Sequence, residues 1–296
     1  MKRIYQILTV FLLVSSTFSC KKDFLDLQPL DKYSDEATND LSIDLSGNFD
    51  IIRNKVTKLP PAVVNAYGGN GRDLNILGRT LGSFFGYVAD GLFKTQAEVN
   101  AHANQPGKGL GRIRYKDLNN DGVVDLNDRT WIGNPVPKFT YGFNANIRYK
   151  DFDLSFLLQG IGSVDIYNNA KMYTDFWSAI ESSSNKGSRV LDAWTPATSN
   201  STIPALTLMD GNSENRSSTY YVENGSYLKL RNLQLGYTVG GSKLSKLKIK
   251  SLRFYIGGDN LAILWKSKSF TGLDPENPGF GYPNPTVFTG GLNLKF

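Results

Sequence analysis

The chain has 296 residues, enough for one or two domains, and its 33 Lys and Arg against 27 Asp and Glu give a formal net charge of +6. The basic residues are spread along the chain without a continuous block, so we do not predict a nucleic-acid partner. The single Cys excludes an internal disulfide and a Cys-based metal site, and the single His, His102, argues against a Ser-His-Asp triad. Aromatic residues make up 12% of the chain and there are 29 Gly, a composition that favours strands and turns. We also predict that the protein is not an enzyme.

The first 19 residues have the pattern of a signal peptide. Lys2 and Arg3 precede an apolar run over 7–14 that is too short to span a bilayer. Small residues then lead to Cys20, a pattern that predicts lipidation at Cys20. Two alternatives stay open: an ordinary signal peptide that contains a Cys, or a buried structural Cys.

Residues 20–40 form a distinct polar segment. Cys20 is followed by Lys-Lys-Asp-Phe-Leu-Asp, and with the preceding leader this stretch resembles the N-terminus of SusD/RagB-type nutrient-binding lipoproteins. The resemblance covers residues 1–38, and the helical repeats of that family do not follow. It implies a lipoprotein N-terminal segment over 20–40, ahead of a different unit over 41–296.

From Leu41 the sequence alternates between apolar and polar residues, which predicts a strand with two different faces over Leu41–Val56. The same alternation recurs further along the chain, with a tight turn at Lys150–Asp151 and a slip at Arg231–Asn232 that predicts a β-bulge. The later strands predicted from this pattern cover 141–149, 152–159, 227–237, 252–262 and 288–296.

The last strand ends on an aromatic residue. Phe288, Leu292, Leu294 and Phe296 lie at alternate positions and resemble the signal that outer-membrane barrel-assembly machinery recognises. This predicts the assembly machinery and outer-membrane lipid as partners. A soluble antiparallel sheet with one wet face would show the same alternation and stays the alternative.

The connections alternate in length. Short turns near 149–151 and 239–248 contrast with long polar segments at 90–137, 162–225 and 266–285. Outer-membrane barrels have short periplasmic turns and long outer loops. We therefore predict an all-β fold, an antiparallel transmembrane β-barrel fragment of about seven strands whose first strand starts outside the cell.

An acidic loop follows the spacing of a calcium-binding loop. Oxygen ligands recur at its first, third, fifth, ninth and twelfth positions, Gly122 holds the sixth, and the carbonyl of the seventh completes the set. The alternative is a polar loop closed by Asx turns. The candidate Ca²⁺ ligands are Asp117, Asn119, Asp121, Val123, Asp125 and Asp128.

Aromatic residues crowd one long loop. Tyr173, Trp177 and Trp194 are candidate ligand-binding residues, because aromatic rings can stack on sugar rings. Packing of the loop itself, or an interfacial aromatic belt, is the alternative. Asp274 and Glu276 lie in a Pro/Gly loop without a partner base, so we do not predict a glycosidase pair.

Several long motifs in residues 41–296 occur in an order that resembles the C-terminal part of SusC/RagA-type TonB-dependent transporters. The motifs that carry this resemblance are Gly82 to Phe93, Arg114 to Gly122, Ile132 to Gly142, Arg189 to Pro196 and Val222 to Asn232.

The resemblance implies an outer-membrane barrel with 22 strands and an N-terminal plug. It also implies import of oligosaccharides or peptides with a SusD-like lipoprotein as lid, and no required cofactor. The plug and the earlier part of the barrel have no counterpart in this sequence, so we do not expect the fragment to transport alone. The alternatives are a surface lipoprotein module that binds glycan through a SusD-like system, and a nonfunctional gene hybrid joined near 38–41.

Overall fold

The structure is a computed structural model that describes residues 40–60, 68, 74–176, 185–240, 244, 246, 248–279, 281–282 and 284–296. Residues Leu41–Phe296 form one compact unit. The predictions for the signal peptide, for most of the 20–40 segment and for lipidation of Cys20 lie outside the described residues.

Six antiparallel strands form the main sheet, which confirms the all-β prediction. Each strand pairs with its neighbour in an antiparallel register. In their order across the sheet, the strands are β1 (Leu41–Ile51), β6 (Phe139–Tyr149), β7 (Phe152–Gly162), β10 (Tyr227–Gly240), β11 (Ser251–Lys266) and β12 (Val287–Lys295).

In the described part of the chain the main sheet has six strands, whereas the prediction was about seven. Antiparallel neighbours reverse direction, so an even number places the start of the first strand and the end of the last strand at the same end of the sheet. Leu41 pairs with Tyr149 and Ser251 pairs with Lys295, both at this end. The prediction that the first strand starts at the opposite end was therefore wrong, and β1 also ends at Ile51 rather than at Val56.

Alternation gives the main sheet one apolar face and one polar face. Ile43 lies opposite Ile147, and Ile147 lies opposite Leu154, so the apolar positions line up across strands. Across the last two strands, Phe254 lies opposite Leu292. Most of these apolar side chains are exposed, because the described residues contain no second layer that covers this face.

The hairpin between β6 and β7 turns at Lys150 and Asp151, as predicted. Tyr149 pairs with Phe152, and Lys150 has a φ of 53°. A positive φ at the first central residue is typical of the two-residue turns that match strand twist.

The segments that connect the long strands at the opposite end of the sheet, where β7 and β11 end, fold separately from it. We call residues 84–133, 163–176 and 185–226 the outer layer. Its regular elements are β2 (Phe84–Tyr87), β3 (Ala89–Leu92), β4 (Ile113–Tyr115), β5 (Arg129–Gly133), β8 (Asp165–Tyr167), β9 (Val222–Asn224), α1 (Gln96–Ala101) and α2 (Lys171–Thr174). In the described residues, these strands form the two-stranded sheets β2-β5, β3-β4 and β8-β9.

The hydrophobic core lies in the outer layer rather than on the main sheet. Tyr115 and Tyr221 are fully buried, and Ile113 and Trp194 pack in the same cluster. The segments predicted from sequence as long polar loops are therefore folded, because their aromatic residues bury apolar area against one another. No helix in the described part of the chain is long and apolar enough to cross a membrane.

Candidate functional site

A β-bulge in β10 brings two basic residues onto the polar face of the main sheet. The pairing of β10 with both neighbours shifts between Leu230 and Asn232, which confirms the predicted bulge. Lys229 lies opposite Gln159 on the polar face, and Arg231 is the extra residue. The Arg231 Nε donates to Gln159 Oε1 at 2.6 Å, so its side chain also reaches that face.

These two basic residues bind two carboxylates from the segment between β11 and β12. The Lys229 Nζ lies 2.7 and 2.8 Å from the Asp274 carboxylate oxygens and 2.7 Å from Glu276 Oε2. Arg231 and the Tyr227 hydroxyl also donate to Glu276. We call Lys229, Arg231, Asp274 and Glu276 the charge cluster; it fastens the 267–279 segment to the sheet.

Lys229 is almost fully buried, with a side-chain exposure of 4%, while those of Asp274 and Glu276 are 16% and 19%. Burial raises the pKa of Glu276, but hydrogen bonds from Arg231, Lys229 and Tyr227 outweigh it and lower that pKa to about 2. Glu276 is therefore ionised at neutral pH. The partners of Asp274 and Glu276 were not predicted, because they lie about 45 residues away along the chain. The available signal was the pair of basic residues in the strand at the bulge.

A second group of charges lies in the outer layer around an open cavity of about 330 Å³. Its basic lining residues are Lys94, Lys171 and Arg189, and no acidic side chain is among its described lining residues. None of these three residues was predicted as a site residue, since they come from three separate segments of the chain. The remaining walls are formed by Ala89, Gly91, Leu92, Ser201, Thr202, Thr219 and Tyr220.

Two buried acids lie next to the basic side chains. Arg189 Nη2 lies 3.2 Å from Asp175 Oδ2, and Lys171 Nζ lies 3.3 Å from Glu223 Oε1. Lys171 also donates to the Tyr220 carbonyl at 2.5 Å. Burial lowers the pKa of Lys171, and the nearby carboxylates partly oppose this shift.

The predicted calcium loop is closed by its own side chains. Asp117 accepts from the backbone amides of Asn120 and Gly122 at 2.7 and 2.8 Å. Asp128 is fully buried and accepts from the amides of Leu118 and Asp125, both at 2.7 Å. Side-chain oxygens of the loop thus accept from its own backbone amides.

The other candidate ligands of the loop follow the same pattern. Asn119 and Asp121 accept from backbone amides two residues ahead, and Asp125 caps the 3₁₀ turn at 126–128. The backbone amide of Val123 donates to Asp121. No group of three or more His, Cys, Asp or Glu side chains among the described residues is arranged to hold a metal ion. Calcium binding stays a prediction.

Of the three candidate ligand-binding aromatics, the structure describes Tyr173 and Trp194. Trp194 is buried with 7% exposure and packs in the core of the outer layer. Tyr173 is half-buried in α2, and Trp177 lies outside the described residues. A ligand-binding role for these three residues stays a prediction.

The candidate assembly residues lie in and just after β12, a strand at the edge of the main sheet. Phe288, Leu292 and Leu294 occupy alternate positions of β12, and Phe296 follows it. All four are exposed, and Leu292 lies opposite Phe254 on the apolar face. Their role in barrel assembly stays a prediction.

No family model matches the chain. Among known proteins, the chain is similar to TonB-dependent receptor P3 of Formosa agariphila, with 32% identity over 84% of the chain and 26% of the receptor. TonB-dependent receptor SusC of Bacteroides thetaiotaomicron is 28% identical over 88% of the chain and 25% of SusC. The chain thus spans about a quarter of the length of these relatives.

Solved structures are also similar to most of this chain. The structure of the RagAB peptide transporter matches 87% of the chain and 27% of the solved chain, with a TM-score of 0.67 and 25% sequence identity. The RagAB peptide importer in its open-open state matches with a TM-score of 0.62 and 23% identity, which supports the fold alone. Over most of its length, this chain is therefore similar to a segment of TonB-dependent receptors, SusC among them.

Proposed function

We propose that residues 41–296 form part of the barrel wall and outer loops of a SusC-like TonB-dependent receptor in the outer membrane. The observation that carries this proposal is the two-faced main sheet, with its exposed apolar face and a charged polar face. A barrel strand needs such alternation, because one face contacts lipid and the other contacts a polar lumen. The homology to TonB-dependent receptors supports the same function.

The orientation follows from the connections. The end of the sheet with the short turn at Lys150 would face the periplasm, and the outer layer would face the exterior. Phe288, Leu292, Leu294 and Phe296 would then lie towards the lipid, where barrel-assembly machinery could bind the last strand.

The two edges of the sheet support a role within a larger assembly. In the described residues β1 pairs only with β6, and β12 pairs only with β11. Unpaired backbone groups are costly in lipid, and about eight strands are needed for the smallest closed barrel. We therefore propose that the sheet completes a barrel with further strands and is not transport-competent alone.

The proposed cargo is an oligosaccharide or a peptide, taken up with a SusD-like lipoprotein as partner. One similar structure is described as a peptide transporter, RagAB, which supports the peptide alternative. We propose binding and transport without catalysis, and no cofactor is required for that role.

Membrane extraction tests the proposal. The full chain and its Cys20→Ser variant are expressed, and outer-membrane fractions are extracted with alkaline carbonate and then with detergent. A barrel segment stays in the membrane until detergent is added, with or without Cys20. Release of Cys20→Ser into the aqueous fraction would support the lipoprotein-module alternative, and absence of any stable product would support the gene hybrid.

A further inference from the structure

We propose that the outer-layer cavity beside Lys171 and Arg189 binds a small organic carboxylate. The cavity of about 330 Å³ is at the lower end of the range for small-molecule sites. This volume suits one sugar-acid unit or the C-terminal end of a short peptide. The inference goes beyond the proposed uptake function, because it concerns one site and its ligand chemistry.

The charge at the cavity wall favours an anion. Lys94, Lys171 and Arg189 line it, whereas the neighbouring acids Asp175 and Glu223 are buried behind these basic groups. Asp175 accepts from the Tyr220 hydroxyl at 2.8 Å as well as pairing with Arg189. The acids therefore hold the basic side chains in place and do not themselves line the cavity.

Arg189 has unused hydrogen-bonding capacity. Its Nη2 pairs with Asp175, but its Nη1 is buried and has no hydrogen-bond partner among the residues that the structure describes. An unsatisfied buried donor is costly, and a guanidinium group binds carboxylates through two parallel N–H groups. A carboxylate in the cavity would supply the missing acceptor after a small side-chain adjustment.

Hydroxyl groups complete the lining. Ser201, Thr202, Thr219 and Tyr220 contribute them, and Thr202 makes no side-chain hydrogen bond within the described residues. The Lys171 ammonium lies over the Tyr220 ring, 4.0 Å from the ring centroid, and this cation–π contact holds the cation beside the cavity. The lining thus offers cations for a carboxylate and hydroxyls for the polar body of its ligand.

The test measures binding of defined probes to the full chain extracted in detergent. The probes form two matched pairs of an acid and its neutral analogue. The first pair is D-glucuronate and D-glucose, and the second is acetyl-glycyl-glycine and the same peptide with a C-terminal amide. We expect a carboxylate probe to bind at least about tenfold more tightly than its neutral analogue, the effect of one charged hydrogen bond. Preference for glucuronate or for the peptide acid identifies the source of the carboxylate. Equal binding of acid and neutral analogue, or binding of neither, overturns the proposal.

Two variants locate the site. Arg189→Gln removes the guanidinium. Thr202→Glu adds a negative charge at the cavity wall and keeps the ion pair between Arg189 and Asp175. Both should weaken carboxylate binding by about tenfold or more, whereas the exposed Lys116→Gln, which loses one charge elsewhere in the outer layer, should bind normally. Unchanged binding in folded Thr202→Glu overturns the proposal, and this result would leave the membrane-extraction test unaffected.

Discussion

Lys229 in β10 donates to both carboxylate oxygens of Asp274, which lies beyond the end of β11. The same ammonium reaches Glu276, so one buried cation holds two carboxylates of the 267–279 segment. If either the ammonium or its carboxylates were removed, the remaining charge would be buried without a partner of opposite sign. The cluster therefore couples the position of this outer segment to the strand that contains the bulge.

Replacing Lys229 with Met should release the 267–279 segment. Two carboxylates would lose their shared cation, and we expect a cost of about 2 kcal/mol, below the range for fully buried pairs because both acids are partly exposed. Hydrogen exchange of 267–279 should increase in the variant. Lys116→Met removes an exposed Lys 4.0 Å from Asp90 and should leave exchange unchanged. Unaltered protection in Lys229→Met would contradict a fastening role.

Acidification should loosen the same segment. The pKa of Glu276 is about 2 in the folded protein and its reference value is 4.5, so its ionised form favours the folded state. This stabilising contribution is fully present above about pH 5 and is lost as the pH falls towards 2. Denaturant midpoints measured across this window should fall for the wild type. Glu276→Gln should have a lower midpoint at neutral pH and a shallower pH dependence, and parallel curves would count against this assignment.

A charge on the apolar face should block membrane insertion, whereas the same charge on the polar face should not. Ile256 is exposed on the apolar face of β11, and Thr289 is exposed on the polar face of β12, opposite Gly257. Lys on the lipid-facing side of a barrel costs about 2–4 kcal/mol near the midplane. We expect Ile256→Lys to reduce the detergent-extracted fraction and Thr289→Lys to retain it. Equal effects of both substitutions would argue against a lipid-facing surface.

Gly160 should not tolerate a side chain. A Cβ at this position would overlap the Tyr141 ring and would lie 2.5 Å from the Tyr227 carbonyl oxygen. We expect Gly160→Ala to destabilise the sheet by about 1–3 kcal/mol, the usual cost of overpacking. Gly240→Ala is the matched control, since a Cβ there meets nothing within 4 Å. Denaturant midpoints of the two variants, measured in detergent, provide the comparison.

Asp128 should stabilise its loop without a metal ion. Its carboxylate is fully buried and accepts two backbone amides, so Asp128→Ala leaves two donors unsatisfied, at about 1–3 kcal/mol each. The loss of stability should therefore be present in a chelator. Asp121→Ala, which removes an exposed Asx contact, should have a smaller effect. A loss that requires added Ca²⁺ would instead support the calcium-loop prediction.

The sheet could be predicted because its signal is local. Alternation over a few residues sets which side chains share a face, so the strands from Phe139 onward and the bulge beside Arg231 were predicted. Strand direction depends on the total number of strands, so an error of one strand reversed the assignment of Leu41 to an end of the sheet.

By itself, the sequence determined the strand class, the two faces and the connection at Lys150–Asp151, because each depends on residues that are neighbours along the chain. Tertiary structure alone decided which charges meet. Lys229 with Asp274, and Arg189 with Asp175, are brought together by strand register and by packing of the outer layer. Burial of Trp194 was likewise decided by that packing. Charge pairing and burial depend on distances between remote segments, and a period along one segment carries no information about those distances.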